Sequence, residues 1–337
     1  MLLSKPIFMG FLSTMLGGIY IALTSTTWLG SWIGLELNLM SFIPIIIMKG
    51  NSRSAEAALK YFLVQAFKSL VFLTGAILLA VKNKVIESDT INSIMLFALL
   101  LKLGAAPLHF WFPHIMQGLD WSQCFLLMTV QKIAPLSLIS YIELSNISYS
   151  IIMMFSILSA LAGAIGGLNQ TDLRKLLAYS SINHLSWLLA SLCIDSLLWI
   201  SYLLVYCLIS GSILFMFYNS KSMHMNQLLL SPTSVMNKIV MFMSLYSLGG
   251  LPPFLGFLPK LIILMELVSV NHQVWAGVLL SMSIVTLFYY NRLIASTLTL
   301  APVKTFTAPK TMNKSALVIL VLMNILPVFV PLSWFLM

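Results

Sequence analysis

Charge is scarce in this chain, and acidic charge above all: nine Asp and Glu stand against eighteen Lys and Arg among 337 residues. With 60% of residues hydrophobic, that poverty excludes a soluble globular protein and leaves a polytopic membrane protein. No polar connection is long enough to fold separately, so no appended soluble domain is expected. The three cysteines, Cys124, Cys193 and Cys207, form no Cys-x-x-Cys pair, so neither an iron–sulfur cluster nor a zinc site is expected. The net charge of +9 is spread over short loops without a continuous patch, which argues against nucleic acid as a partner. The opening Met1-Leu-Leu-Ser-Lys5-Pro6 matches neither a cleavable signal nor an Arg- and Ser-rich transit peptide.

Apolar runs are what the chain has in abundance. At roughly 20 residues per crossing, hydropathy predicts an all-α fold of about eleven transmembrane helices. Their expected limits are 6–25, 27–48, 55–82, 90–117, 121–142, 148–168, 170–192, 195–219, 233–267, 273–299 and 316–336. The basic residues then sort by side. Lys5, Lys49, Arg53, Arg174, Lys175, Lys221, Lys238, Lys304, Lys310 and Lys314 share the side of the N-terminus, while the other side has Lys82 and Lys84 beside Glu87 and Asp89. Such a bias places the N-terminus on the cytoplasm-like face and, with an odd number of spans, the C-terminus on the opposite one.

Two of the expected spans, the fourth and the ninth, are too long and carry helix breakers. Shifted by 146 residues, Gly104 falls on Gly250, Pro107 on Pro253, Pro113 on Pro259 and His114 on Lys260. Each broken span is the fourth of a block of five. The expected organisation is therefore a five-helix repeat over 1–142, a second over 148–299 that enters the membrane inverted, and a last span over 316–337. Paired broken helices in inverted repeats mark the transport site of secondary transporters. Proline lacks an N–H and clashes four residues back: Pro107 frees the carbonyl of Leu103, Pro135 that of Gln131, and Pro253 that of Gly249. Such acceptors persist at membrane depth only beside water or protein partners. The plainer alternative is that these prolines kink helices for packing.

The few buried charges are the candidate functional residues. An ionised group at mid-membrane costs about 2.5–3.5 kcal/mol on insertion scales, and Glu36, Lys102, Lys132 and Lys260 all lie within apolar runs. Glu36 has no basic residue one turn away, so its partner is expected from another helix. The alternative is a structural ion pair that never titrates. Lys60 follows Glu56 by four residues, so a local pair competes with a functional role. Lys68, two turns deeper, has no assigned role. His184 occupies in the second block the place of Glu36 in the first, and is either a proton relay or a hydrogen-bonded structural residue among Ser180, Ser181 and Asn183. His109 and His114 sit on one short segment without a facing histidine pair, which argues against haem. Arg292, Glu143 and Glu266 lie near span ends, where solvated structural roles are expected.

Seven ordered segments carry a resemblance: Trp32-Ile-Gly-Leu-Glu36-Leu-Asn38, Ser54-Ala-Glu56-Ala-Ala-Leu-Lys60-Tyr-Phe, Lys102-Leu-Gly-Ala-Ala-Pro107-Leu-His-Phe-Trp, Gln131-Lys132-Ile-Ala-Pro135, Gly166-Gly-Leu-Asn-Gln-Thr, Leu177-Ala-Tyr-Ser-Ser and Ser247-Leu-Gly-Gly-Leu-Pro-Pro. Together they resemble the antiporter-like second subunits of mitochondrial NADH–ubiquinone oxidoreductase, respiratory complex I, in the short animal form. The resemblance implies a subunit that translocates protons across the mitochondrial inner membrane, with its N-terminus on the matrix side and its C-terminus on the intermembrane-space side. It implies no cofactor in this chain: NADH, FMN, iron–sulfur clusters and ubiquinone belong to other subunits. The implied partners are the other membrane-arm subunits and membrane lipids, cardiolipin among them. Glu36 and Lys102 would form the coupled pair, Lys132 the central relay and Lys260 the exit-side lysine, with Lys60 and His184 at matching positions of less defined role; Lys68 lies outside the pattern. The competing readings are a stand-alone cation/proton antiporter, a structural scaffold, and a quinone-binding chain.

Overall fold

A computed structural model describes residues 6–48, 50–81, 88–195, 197–230, 235–299 and 314–329. The expectations resting on Lys5, Lys49, Lys82, Lys84, Glu87, Lys304 and Lys310, and on the chain beyond residue 329, lie outside the described residues. All fifteen named elements are α-helices, and the chain divides into two compact units, Met1–Phe155 and Ser156–Met337.

The first unit opens with a hairpin of α1 (Pro6–Thr24) and α2 (Trp28–Ile47), whose start is capped by Thr27 accepting from the Gly30 N–H. Small residues set their crossing. A Cβ on Gly34 would lie 2.5 Å from the Ala22 nitrogen and 2.7 Å from the Gly18 oxygen, so the two backbones touch, as tight membrane-helix packing allows only at glycine. Gly34→Leu is expected to force them apart at a cost of about 1–3 kcal/mol or more, read as less assembled protein and a lower midpoint in thermal denaturation.

Against this hairpin lies α3 (Ser52–Val81), which also packs on α4 (Ser88–Leu103) and α5 (Trp111–Gly118). Next come α6 (Trp121–Met128) and α7 (Val130–Tyr141), the latter against α1 and α4. In sequence, α8 (Asn146–Gly167) crosses the division between the units. The second unit holds α9 (Leu173–Ile194), α10 (Leu198–Ser220), α11 (Met225–Leu230), α12 (Val235–Gly249), α13 (Phe257–Ser269), α14 (Gln273–Thr299) and α15 (Lys314–Phe329). Here α9 is enclosed along almost its whole length and packs on α10, α13 and α14. Arg292 of α14 donates to the carbonyl of Leu168 at 2.8 Å, supplying a cation to the C-terminal end of α8.

Among the described residues, eight helical stretches are long and apolar enough to cross a membrane, with α6 and α7 together making one of them. The expected fourth and ninth spans are pairs of half-helices, α4 with α5 and α12 with α13. The expected fifth span is irregular as well. Pro135 sits inside α7, and the helical run is interrupted at Thr129, whose backbone N–H and hydroxyl both donate to the Phe125 carbonyl, at 3.0 and 2.6 Å.

Local geometry recurs down the chain. Gly163 meets the Asn183 nitrogen and Tyr179 oxygen as Gly18 meets the Asn38 nitrogen and Gly34 oxygen, each pair being 145 residues apart. At the first break Gly104 has φ +77° and Ala105 N–H reaches back to the Leu100 carbonyl. At the second, Gly250 has φ +82° and Leu251 N–H reaches the Tyr246 carbonyl. Both are Schellman endings, which need a residue free to adopt positive φ. Leu108 to Ala105 and Phe254 to Leu251 complete the same pattern 146 residues apart.

Candidate functional site

In the first unit the interrupted helix brings lysines to a polar cavity. Lys102 ends α4 one residue before the last helical position, and Lys132 lies on the first turn of α7. They are 8% and 3% exposed. Both line a cavity of about 30 Å³ whose other polar walls are Asn38, Tyr61, Gln65 and Gln131. That volume has room for about two water molecules. The Lys132 ammonium also lies 5.8 Å from the centre of the Phe112 ring.

Glu36 of α2 is half-buried, and its Oε2 is enclosed without accepting a hydrogen bond among the described residues. Lys102, on a different helix, is within its electrostatic reach. A through-space pair with water-sized room nearby is chemically suited to moving a proton, since no tight ion pair must first be broken.

The cavity wall is held by an uncharged network that the sequence reading missed. Tyr61 Oη donates to Gln131 Oε1 at 3.2 Å, and Gln131 Nε2 donates to Asn38 Oδ1 at 2.8 Å. This chain ties α3, α7 and α2 together and sets the residue before Lys132. Gln123 does similar work at one end, donating to the Ile45 carbonyl at 2.7 Å.

In the second unit the candidate residues gather at the break. Pro253 cannot donate to the Gly249 carbonyl, and Lys260 takes it instead, its Nζ 2.9 Å from that oxygen and 3.5 Å from the Leu248 oxygen. The ammonium, on a residue 5% exposed, thus sits at the C-terminal end of α12, where the helix dipole favours a cation. It also lies 5.8 Å from the centre of the Trp187 ring. His184, one turn before Trp187, is buried with Nδ1 2.9 Å from Tyr202 Oη and the Tyr206 ring 5.0 Å away. Asn324 of α15 is a further missed residue: it lies 2.8 Å from Ser247 Oγ, and its backbone carbonyl accepts from Leu255 N–H at 3.1 Å. The last helix therefore satisfies the polar groups the break leaves open.

Other expected residues are placed differently. Lys60 is exposed and pairs with Glu56 at 2.6 Å, the local alternative anticipated for it. Pro107 and Pro253 are exposed and act by ending helices. His114, the shift partner of Lys260, is exposed too, so the two breaks share backbone geometry but not a charge at that position. Among the described residues no three His, Cys, Asp or Glu side chains converge to hold a metal ion.

An all-helical membrane chain with two interrupted helices and lysines buried at the breaks defines the antiporter-like class of ion-translocating proteins. The chain belongs to the transmembrane family of NADH:quinone oxidoreductases and Mrp antiporters, whose family model matches residues 25–288. It is 46% identical over 288 residues to NADH-ubiquinone oxidoreductase chain 2 of Anopheles gambiae, covering 84% of this chain and 83% of that one. The corresponding protein of Aedes aegypti is 44% identical over 290 residues, with the same coverage. Its fold is also that of a chain in the structure of respiratory complex I from Thermus thermophilus with bound aureothin, with a TM-score of 0.80, 22% identity, and 95% and 76% of the two chains covered.

Proposed function

We propose that this chain is a core membrane-arm subunit of respiratory complex I that moves protons across the mitochondrial inner membrane. The redox reactions of NADH and ubiquinone, with FMN and the iron–sulfur clusters, take place on other subunits. The observation that carries the reading is the convergence of Lys102 and Lys132 on one polar cavity, with Glu36 in electrostatic reach of Lys102. In the proposed path a proton passes between Lys102 and Lys132 through the cavity, Glu36 biasing which lysine carries it, and Lys260 holds the charge beside the second break. His184 relays through its second ring nitrogen. Lys60 stays outside the path as half of a surface pair. The N-terminus faces the matrix and the C-terminus the intermembrane space. The other membrane-arm subunits and lipids, cardiolipin among them, cover the apolar surface.

The rival with a specific observation behind it is a stand-alone cation/proton antiporter, because the matching family includes antiporters. Detergent extraction and size separation distinguish the two. The chain is expected to travel with a large assembly that oxidises NADH. A chain that runs alone, and in vesicles exchanges sodium for protons, contradicts the proposal.

A further inference from the structure

Lys68 is a deeply buried cation that the path just described does not use. It is 2% exposed on α3, and its Nζ has no hydrogen-bond partner among the described residues. Instead it lies 3.6 Å from the centre of the Trp111 ring. Trp111 opens α5, the second half of the broken helix, and lines the cavity that holds Lys102 and Lys132. Gln65, three residues before Lys68 and so on the same face of α3, lines that cavity as well. Lys102 and Lys68 are within electrostatic reach of each other. A single aromatic ring thus stands beside the cavity with a third lysine against it.

The chemistry of that contact is permissive. An aromatic face attracts an ammonium but accepts none of its protons in a lone-pair hydrogen bond, and a neutral amine fits the same space. Two ammoniums this near repel, and Glu36 is the acidic group in reach of Lys102. We propose that Lys68 is a further proton-exchanging residue of this site, alternating with Lys102 as its charged member. The proton that Lys68 takes up is the one Lys102 gives up, and the return transfer recharges Lys102, so the pair keeps a single positive charge throughout. The inference rests on the proton-translocating reading given above.

The test is NADH-driven proton pumping by the assembled complex in proteoliposomes, with assembly and NADH oxidation by an artificial acceptor measured on the same sample. Lys68→Met and Lys68→Arg are both expected to assemble, to keep acceptor reduction, and to pump about tenfold or more slowly. Positioned proton-transfer groups contribute roughly 10²–10⁴-fold, and arginine does not give up its proton. Normal pumping by the Met variant overturns the proposal by showing that Lys68 only fills space. Normal pumping by the Arg variant overturns it by showing that a fixed charge suffices. Should the Met variant fail to assemble, Lys68→His decides: pumping kept with His and lost with Arg supports exchange, and any other pair of results contradicts it. Lys132→Met run alongside separates the two claims. If it pumps normally the translocator reading itself fails, whereas its loss beside normal Lys68 variants removes only Lys68 from the path.

Discussion

Lys132→Met in the assembled complex is expected to stop NADH-driven proton pumping while leaving NADH oxidation by an artificial acceptor intact. Methionine matches the lysine stem in length, and volume-conserving changes in a packed interior cost less than about 1.5 kcal/mol, so the fold should survive. What is lost is the titratable head group at the cavity shared with Lys102. A positioned proton-transfer group contributes roughly 10²–10⁴-fold, or about 3–5 kcal/mol of barrier at each tenfold per 1.36 kcal/mol. A slowing of that size at one step is read as near-complete loss of the pH change outside the vesicles. Loss of assembly instead of pumping would point to a structural lysine.

Lys260→Met is expected to act on stability and transport together, and the two effects separate by substitution. Lys260 is the donor to the Gly249 carbonyl, an acceptor that Pro253 leaves without its helical partner. Removing it strands a buried carbonyl at about 1–3 kcal/mol and takes a cation from the end of α12, worth about 0.3–2 kcal/mol. The thermal midpoint of the purified complex should fall and pumping should be lost. Lys260→Arg restores a charged donor that does not titrate. It is expected to recover most of the midpoint without recovering pumping. An Arg variant that recovers both would show that Lys260 is a cap for the broken helix and nothing more.

What was legible in the sequence was whatever contrasts with an apolar background. Glu36, Lys102, Lys132 and Lys260 stand out because each is costly where it lies, and Gly104 and Gly250 because a break in a membrane helix is costly too. Contacts between distant helices left no such mark. Tyr61, Gln131 and Asn38 are uncharged and well tolerated in membrane helices, so nothing in their spacing announced a network. The seating of Lys68 on Trp111 depends on how α3 packs on α5, a matter of tertiary register. Asn324 closes the second break from a helix 77 residues away from Ser247, which no local pattern encodes. Pro135 lies inside α7, and the helical run is interrupted at Thr129, where neither a charge nor a helix breaker marks the sequence.

In the proposed path, a carboxylate acting through space on a lysine beside a water-sized cavity governs proton passage in the first unit. The most direct measurement is the number of protons pumped per NADH oxidised by complex carrying Glu36→Gln, in sealed proteoliposomes, after native electrophoresis has shown full assembly. The amide keeps the shape of the side chain and removes its charge, so a clear fall in that ratio is expected. An assembled Glu36→Gln complex that pumps with the wild-type ratio would contradict it.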